Sequence, residues 1–363
     1  MQLKDYLGQE KIIASLKQAV DNNELSHAYL FVGPEGSGKR TLADIFAKMV
    51  LCKGEGEKPC ELCNACLTVD AGSNFDVIDV VAEKLRLNPK GSKTISVDDI
   101  RERVTASVSI KPNGDKKIYI LDGAEKMDAK AQNALLKTLE EPPEYVIIIL
   151  ISSSKEAMLQ TIMSRVLCYE FKPVETARIE NYLVNKKQIP SHIARMSARF
   201  SQGVVGEAIL FALSDEFEEE RKKVVELVSK IDRMTAEDIL SYASVYKASS
   251  TAKKEEKDDG EKPKRGAKTA EKAERRELRS RTDDFLDLLE LFFRDIFVYK
   301  GSENDELISF SDDLMIVREV AEEKSAEAIA HILDAIREAK ARIKANLPMD
   351  GVMEMLLLKM RER

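Results

Sequence analysis

The chain has 363 residues, long for one domain and suited to two or three. Hydrophobic residues make up 44%, charged residues 33%, and tryptophan is absent, which fits a helix-rich protein with well-packed cores. A net charge of −7 excludes a chain that coats nucleic acid by its overall charge. There is no run of the roughly 18 apolar residues that a membrane span needs, and Met1 to Gln9 lacks a signal-peptide core, so a cytoplasmic protein is expected.

Residues 10–22 have the spacing of an amphipathic helix. Ala28 to Val32 is a short apolar run, read as a buried strand, and Gly33 to Lys39 is a glycine-rich turn. Helical spacing resumes from Arg40 to Leu51. Strand, glycine turn and helix in that order open a βαβ pattern. Further strands are expected at Asp76–Val81, Lys117–Leu121, Tyr145–Ile151 and Leu167–Phe171. Helices are expected near 97–108, with Ser96 and Asp99 as a capping box, and near 128–141, ending at Pro142-Pro143. Residues 1–171 therefore read as an α/β domain with a mostly parallel sheet.

After Pro173 the pattern is helical, with breaks at Pro190 and Gly203 and helices continuing over 214–246. Residues 247–277 hold no large apolar side chain and are rich in charge, which predicts a mobile insertion or a solvated helix. Periodic apolar residues return at Leu278, Phe285, Leu288, Leu289, Phe292, Phe293 and Ile296, and helices follow near 323–346 and 350–361.

Gly33-Pro34-Glu35-Gly36-Ser37-Gly38-Lys39 matches the P-loop spacing. Gly33, Gly36 and Gly38 let backbone N–H groups close on phosphate oxygens, and Lys39 adds a full charge. The next residue should be Ser or Thr, whose hydroxyl holds Mg²⁺. Here it is Arg40; Thr41 is one position late and about 100° round the helix. ATP binding is possible on this reading, whereas metal-assisted hydrolysis is not expected. The strand ending in Asp122 has the form of the acid that orients Mg²⁺, or Asp122 simply caps the turn after the strand. Gly123 follows where a hydrolytic enzyme carries a water-positioning Glu.

Cys52, Cys60, Cys63 and Cys66 place four thiols within fifteen residues. In a reducing compartment they suit a structural Zn²⁺ site at 52–66 with no open position. Unliganded thiols and an iron–sulfur cluster are the alternatives. Cys168, alone on an apolar strand, reads as core. Ser164-Arg165-Val166 precedes the last strand, and an arginine there is either a solvated surface residue or a group aimed at a neighbouring subunit. His27, His192 and His331 are scattered and form no catalytic set. Lys262-Pro263-Lys264-Arg265 reads as part of a solvated linker.

His27-Ala28-Tyr29-Leu30-Phe31, the P-loop, the four-cysteine insertion and the run Asn133 to Pro143 (NALLKTLEEPP) together resemble bacterial DNA polymerase III clamp-loader subunits. The ending Ala339 to Leu358 looks like the last helices of their collar. The resemblance covers nearly the whole chain. It implies an AAA+ α/β domain with a zinc module (1–171), a small helical lid (172–210) and a helical collar (211–363) carrying the insertion 247–277. Within that family the layout is shared by the ATPase gamma/tau and the non-hydrolysing delta prime. Arg40, Gly123 and Gly206 stand where the ATPase carries its P-loop hydroxyl, its Glu and its sensor arginine, so the resemblance favours the delta prime type. It implies partners gamma/tau and delta, action on the β sliding clamp and primed DNA through the complex, and Arg165 as an arginine finger acting in trans. Val166 stands where the family's Ser-Arg-Cys motif has Cys. The alternatives are an active gamma/tau-type ATPase and a pure scaffold whose P-loop is a relic.

Overall fold

A computed structural model describes residues 2–81, 94–246 and 265–361. The chain divides into two compact units, residues 1–182 with 202–207 and residues 183–201 with 208–363.

Among the described residues, the first unit is built on five parallel strands: Ala28–Val32 (β1), Val77–Asp79 (β2), Lys117–Asp122 (β3), Val146–Ser152 (β4) and Leu167–Glu170 (β5). Their order across the sheet is β2-β3-β4-β1-β5, with Ala28 opposite Ile148 and Ile118 opposite Ile147. The β-branched run of β4 is buried along its whole length, as a central strand covered on both faces must be. Alternation assigns each face. Ala28, Leu30 and Val32 join one core with Ile100, Leu135 and Ile162, while Tyr29 and Phe31 join the other with Leu16, Leu42 and Phe46.

Helices Glu10–Asp21 (α1), Lys39–Leu51 (α2) and Asn64–Asp70 (α3) serve the second of these faces. The first is covered by Ala129–Glu140 (α4), by Gln160–Met163 (α5) and by a helical segment from Val97 to Thr105. The capping box at Ser96 and Asp99 is formed, but the helix it starts is one short turn followed by a wider π-type turn, shorter than the expected 97–108. Cys168, expected in the core, is half-buried, because β5 is an edge strand paired only with β1.

Helix Thr176–Lys187 (α6) runs across the division between the units. The described residues of the second unit form helices and no strand: Ser191–Phe200 (α7), the greater part of Val205–Leu213 (α8), Asp215–Lys230 (α9), Ala236–Ser244 (α10), Arg265–Ser302 (α11), Leu314–Glu323 (α12), Ala326–Lys344 (α13) and Met349–Arg361 (α14). Its core is centred on α11, whose Phe285, Leu288, Leu289, Phe292, Phe293 and Ile296 are all fully buried. Asp295 sits among them and accepts hydrogen bonds from the backbone N–H groups of Ser309 (2.6 Å) and Phe310 (3.0 Å), which offsets its desolvation. Residues 247–264 of the expected insertion, including Lys262 to Lys264, lie outside the described residues; from Arg265 the backbone is helical. Among the described residues no helix is long and apolar enough to cross a membrane.

Candidate functional site

The glycine turn lies between β1 and α2. Gly33, Gly36 and Gly38 all have positive φ, at 157°, 80° and 86°. Glycine is demanded at all three, where a Cβ would lie 2.8 Å from Phe171 Cβ, 2.9 Å from a methyl of Val204 and 2.7 Å from the Tyr6 hydroxyl, respectively. Lys39, nearly buried, folds back on the loop and donates to the carbonyls of Gly33 and Pro34, each at 2.6 Å. Burial lowers its pKa, and the neighbouring Asp122, Glu125 and Glu35 partly offset that.

A cleft of about 310 Å³ opens beside the loop. Lys39, Arg40, Asp79, Asp122 and Glu125 line it, and so do Ser152 and Ser153 at the end of β4. The strand order brings these acids together, because Asp79 and Asp122 end neighbouring parallel strands. Thr41 does not line the cleft, in keeping with its place one residue further round α2. Arg40 is ion-paired twice, with Asp44 at 3.2 Å one turn along α2 and with Asp79 across the cleft. Burial opposes its charge, but Asp44 and Asp79 outweigh that and raise its pKa. Burial raises the carboxyl of Asp122, against the pull of Arg40. Glu125 accepts from the backbone N–H of Ser153 at 3.2 Å. Sequence reasoning singled out neither Asp79 nor Asp44; the i,i+4 spacing of Arg40 and Asp44 was the available signal for the second.

Gly206, in the first turn of α8, packs against the P-loop. Its N–H donates to the carbonyl of Gly36 at 2.9 Å. A Cβ at 206 would stand 2.6 Å from that same oxygen, so in this arrangement the position admits no side chain, an arginine included.

The four cysteines form a second centre. All four Sγ atoms lie within 4.8 Å of one another. Cys63 Sγ is 3.6 Å from Cys66 Sγ and 3.9 Å from Cys52 Sγ. Thiolates at about 2.3 Å around a tetrahedral metal ion stand roughly 3.8 Å apart, so the cluster is already at ligating spacing. The backbone N–H of Cys63 donates to Cys60 Sγ, and that of Cys60 to Cys52 Sγ, both at 3.3 Å, an arrangement that favours thiolates. Cys63 and Cys66 flank the start of α3, a helix missing from the sequence expectations. Beneath the loop, the fully buried Lys48 of α2 pairs with Glu61 and Asp70, each at 3.1 Å.

Arg165 lies at the end of α5. It pairs with Glu140 at 2.9 Å and donates to the carbonyl of Thr161 at 2.9 Å, while staying partly exposed. Glu140 is the last residue of α4, within the NALLKTLEEPP run.

A family model described as "DNA polymerase III, delta subunit" matches residues 8–175. The DNA polymerase III subunit delta' of Bacillus subtilis is 28% identical over 354 residues, which cover 98% of this chain and 96% of that protein. Over nearly its whole length the chain is thus similar to a DNA polymerase III subunit of the delta' type. The tau subunit of B. subtilis is 38% identical over 191 residues, 51% of this chain and 32% of tau. The tau/gamma subunit of Haemophilus influenzae is 37% identical over 183 residues, 50% of the chain and 25% of that protein. This chain thus spans about a third and a quarter of these two relatives.

Proposed function

We propose that this chain is the delta prime subunit of a bacterial clamp loader. It assembles with gamma/tau and delta, and the complex loads the β sliding clamp onto primed DNA without ATP hydrolysis by this subunit. The observation that carries the reading is Arg40, held by Asp44 and Asp79 where a hydrolytic P-loop needs a metal-binding hydroxyl. A guanidinium there neither holds Mg²⁺ nor orients water. Gly123 after the strand-end Asp122 and the closed approach of Gly206 to Gly36 support the same conclusion. So does a delta' relative that runs alongside nearly the whole chain.

In this reading Cys52, Cys60, Cys63 and Cys66 hold a structural Zn²⁺, and Lys48 ties their loop to α2. ATP, if bound, sits against the P-loop glycines, Lys39 and Asp122, with Thr41 remote. Residues 172–210 act as the lid and 211–363 as the collar through which subunits assemble. Arg165 leaves Glu140 to reach a neighbour's nucleotide, where an arginine stabilises charge on the transferring phosphoryl group.

The higher identity to tau over about half of the chain favours a second reading, an active gamma/tau-type ATPase. Mg²⁺-dependent ATP turnover by the isolated chain separates the two. The delta prime reading expects background turnover; steady turnover that Lys39→Ala abolishes would establish the ATPase.

A further inference from the structure

Arg40 fills a position that P-loop enzymes use for a divalent ion. Its Nε lies 3.2 Å from both carboxylate oxygens of Asp44, its Nη1 reaches Asp79, and Asp122 acts on it electrostatically. A fixed positive charge among three carboxylates is the arrangement a bound Mg²⁺ otherwise creates. Mg²⁺ demands a near-octahedral shell of oxygens at about 2.0–2.1 Å, and a guanidinium in that place leaves no room for one. The rest of the phosphate cradle is intact. Gly33, Gly36 and Gly38 keep their positive φ, and Lys39 lines the same cleft as Arg40, Asp79 and Asp122.

We propose that this cleft takes the phosphate chain of a nucleoside di- or triphosphate without a divalent metal, Arg40 supplying the charge that Mg²⁺ supplies in hydrolysing relatives. A guanidinium is charged at every relevant pH and offers five donors in a planar fork. It can keep Asp44 and Asp79 and still donate to a phosphate oxygen. Lys39 gives up the carbonyls of Gly33 and Pro34 for the phosphate. No bond to phosphorus is broken, because nothing in the cleft orients water under metal control. The proposal rests on the P-loop geometry and is independent of which clamp-loader subunit the chain is.

The test is a fluorescence-anisotropy titration of N-methylanthraniloyl-ATP with the full chain, in excess Mg²⁺ and in excess EDTA. Wild-type binding is expected to be at least as tight in EDTA as in Mg²⁺, because Mg²⁺ ties up the free nucleotide in solution and finds no place in the cleft. Arg40→Thr restores the hydroxyl; it should lose at least about tenfold in EDTA and recover in Mg²⁺. Mn²⁺ added with the nucleotide should give a protein-bound paramagnetic signal in Arg40→Thr and none in the wild type. Failure of the wild type to bind in either buffer overturns the proposal, and so does tenfold tighter wild-type binding in Mg²⁺. A folded Arg40→Thr that binds like wild type in EDTA also overturns it. The wild-type comparison decides the matter even if the variant does not fold. Each negative result leaves the clamp-loader reading standing, since that reading is tested by assembly and loading.

Discussion

Replacing Lys48 with methionine should loosen the metal loop without touching a cysteine. The ammonium is fully buried and holds two carboxylates, Glu61 in the loop and Asp70 at the end of α3, each at 3.1 Å. Breaking a buried ion pair by deleting one partner typically costs about 3–5 kcal/mol, because a charge is left stranded. Here the stranded charges can rehydrate. The Glu61 and Asp70 side chains are 17% and 37% exposed, so the cost is discounted to about 1–3 kcal/mol. Methionine keeps most of the volume, so little of that loss comes from a cavity. The chain folds as two units, so one global unfolding midpoint mixes them. Release of metal to a chromophoric chelator reports on the first unit alone. Lys48→Met is expected to release metal about five- to a hundredfold faster, if the loss falls on the opening step at tenfold per 1.4 kcal/mol. Glu61→Gln should show a smaller change in the same direction. Release at the wild-type rate in Lys48→Met would refute the view that this trio ties the loop to α2.

Further outcomes follow from the two centres and the helical unit. Cys60→Ser is expected to lose the bound zinc, measured by elemental analysis, and to lower the thermal stability of the first unit, since structural zinc contributes directly to folding; a metal-free native protein would refute the zinc assignment. Arg165→Ala should leave assembly with gamma/tau and delta intact while the neighbouring active site loses ~10³-fold or more in turnover; unchanged ATPase of the complex would sink the role in trans. Glu140→Gln, which removes the internal partner of Arg165, should leave that ATPase unchanged or raise it. Burial opposes the charge of Glu290, but hydrogen bonds from Lys340 and Arg337 outweigh it and lower its pKa. A lowered carboxyl pKa contributes stability that is present above the unfolded value of about 4.3 and lost as pH falls through the folded value. Glu290→Gln should therefore destabilise the second unit at pH 7 and matter less at pH 3.5, read by thermal unfolding; an equal effect at both pH values would refute the linkage.

Much of this was legible because it was local. The β-branched run of β4 declares a strand buried on both faces, and the apolar spacing on α11 declares the centre of a helical core. Four cysteines in fifteen residues leave little choice about which groups meet. What the sequence hid depends on pairings distant along the chain. Asp79 meets Arg40 only because β2 takes the edge beside β3, and strand order is not written in any single strand. Edge placement likewise left Cys168 half-buried where its apolar neighbours suggested core. Helix α12 was overlooked, and the following helix was expected to begin at 323, although Ser325 caps it by accepting from the N–H of Ala328. Gly206 was noticed for the arginine it lacks. The structure adds the reason: a carbonyl of the P-loop occupies the space into which any side chain would extend.

Clamp loading itself tests the central claim most directly. A complex of gamma/tau and delta is assembled with and without this chain, and the transfer of β clamps onto primed circular DNA is followed. The account predicts loading that requires the chain and falls to background when it is left out. Equal loading in its absence would contradict it.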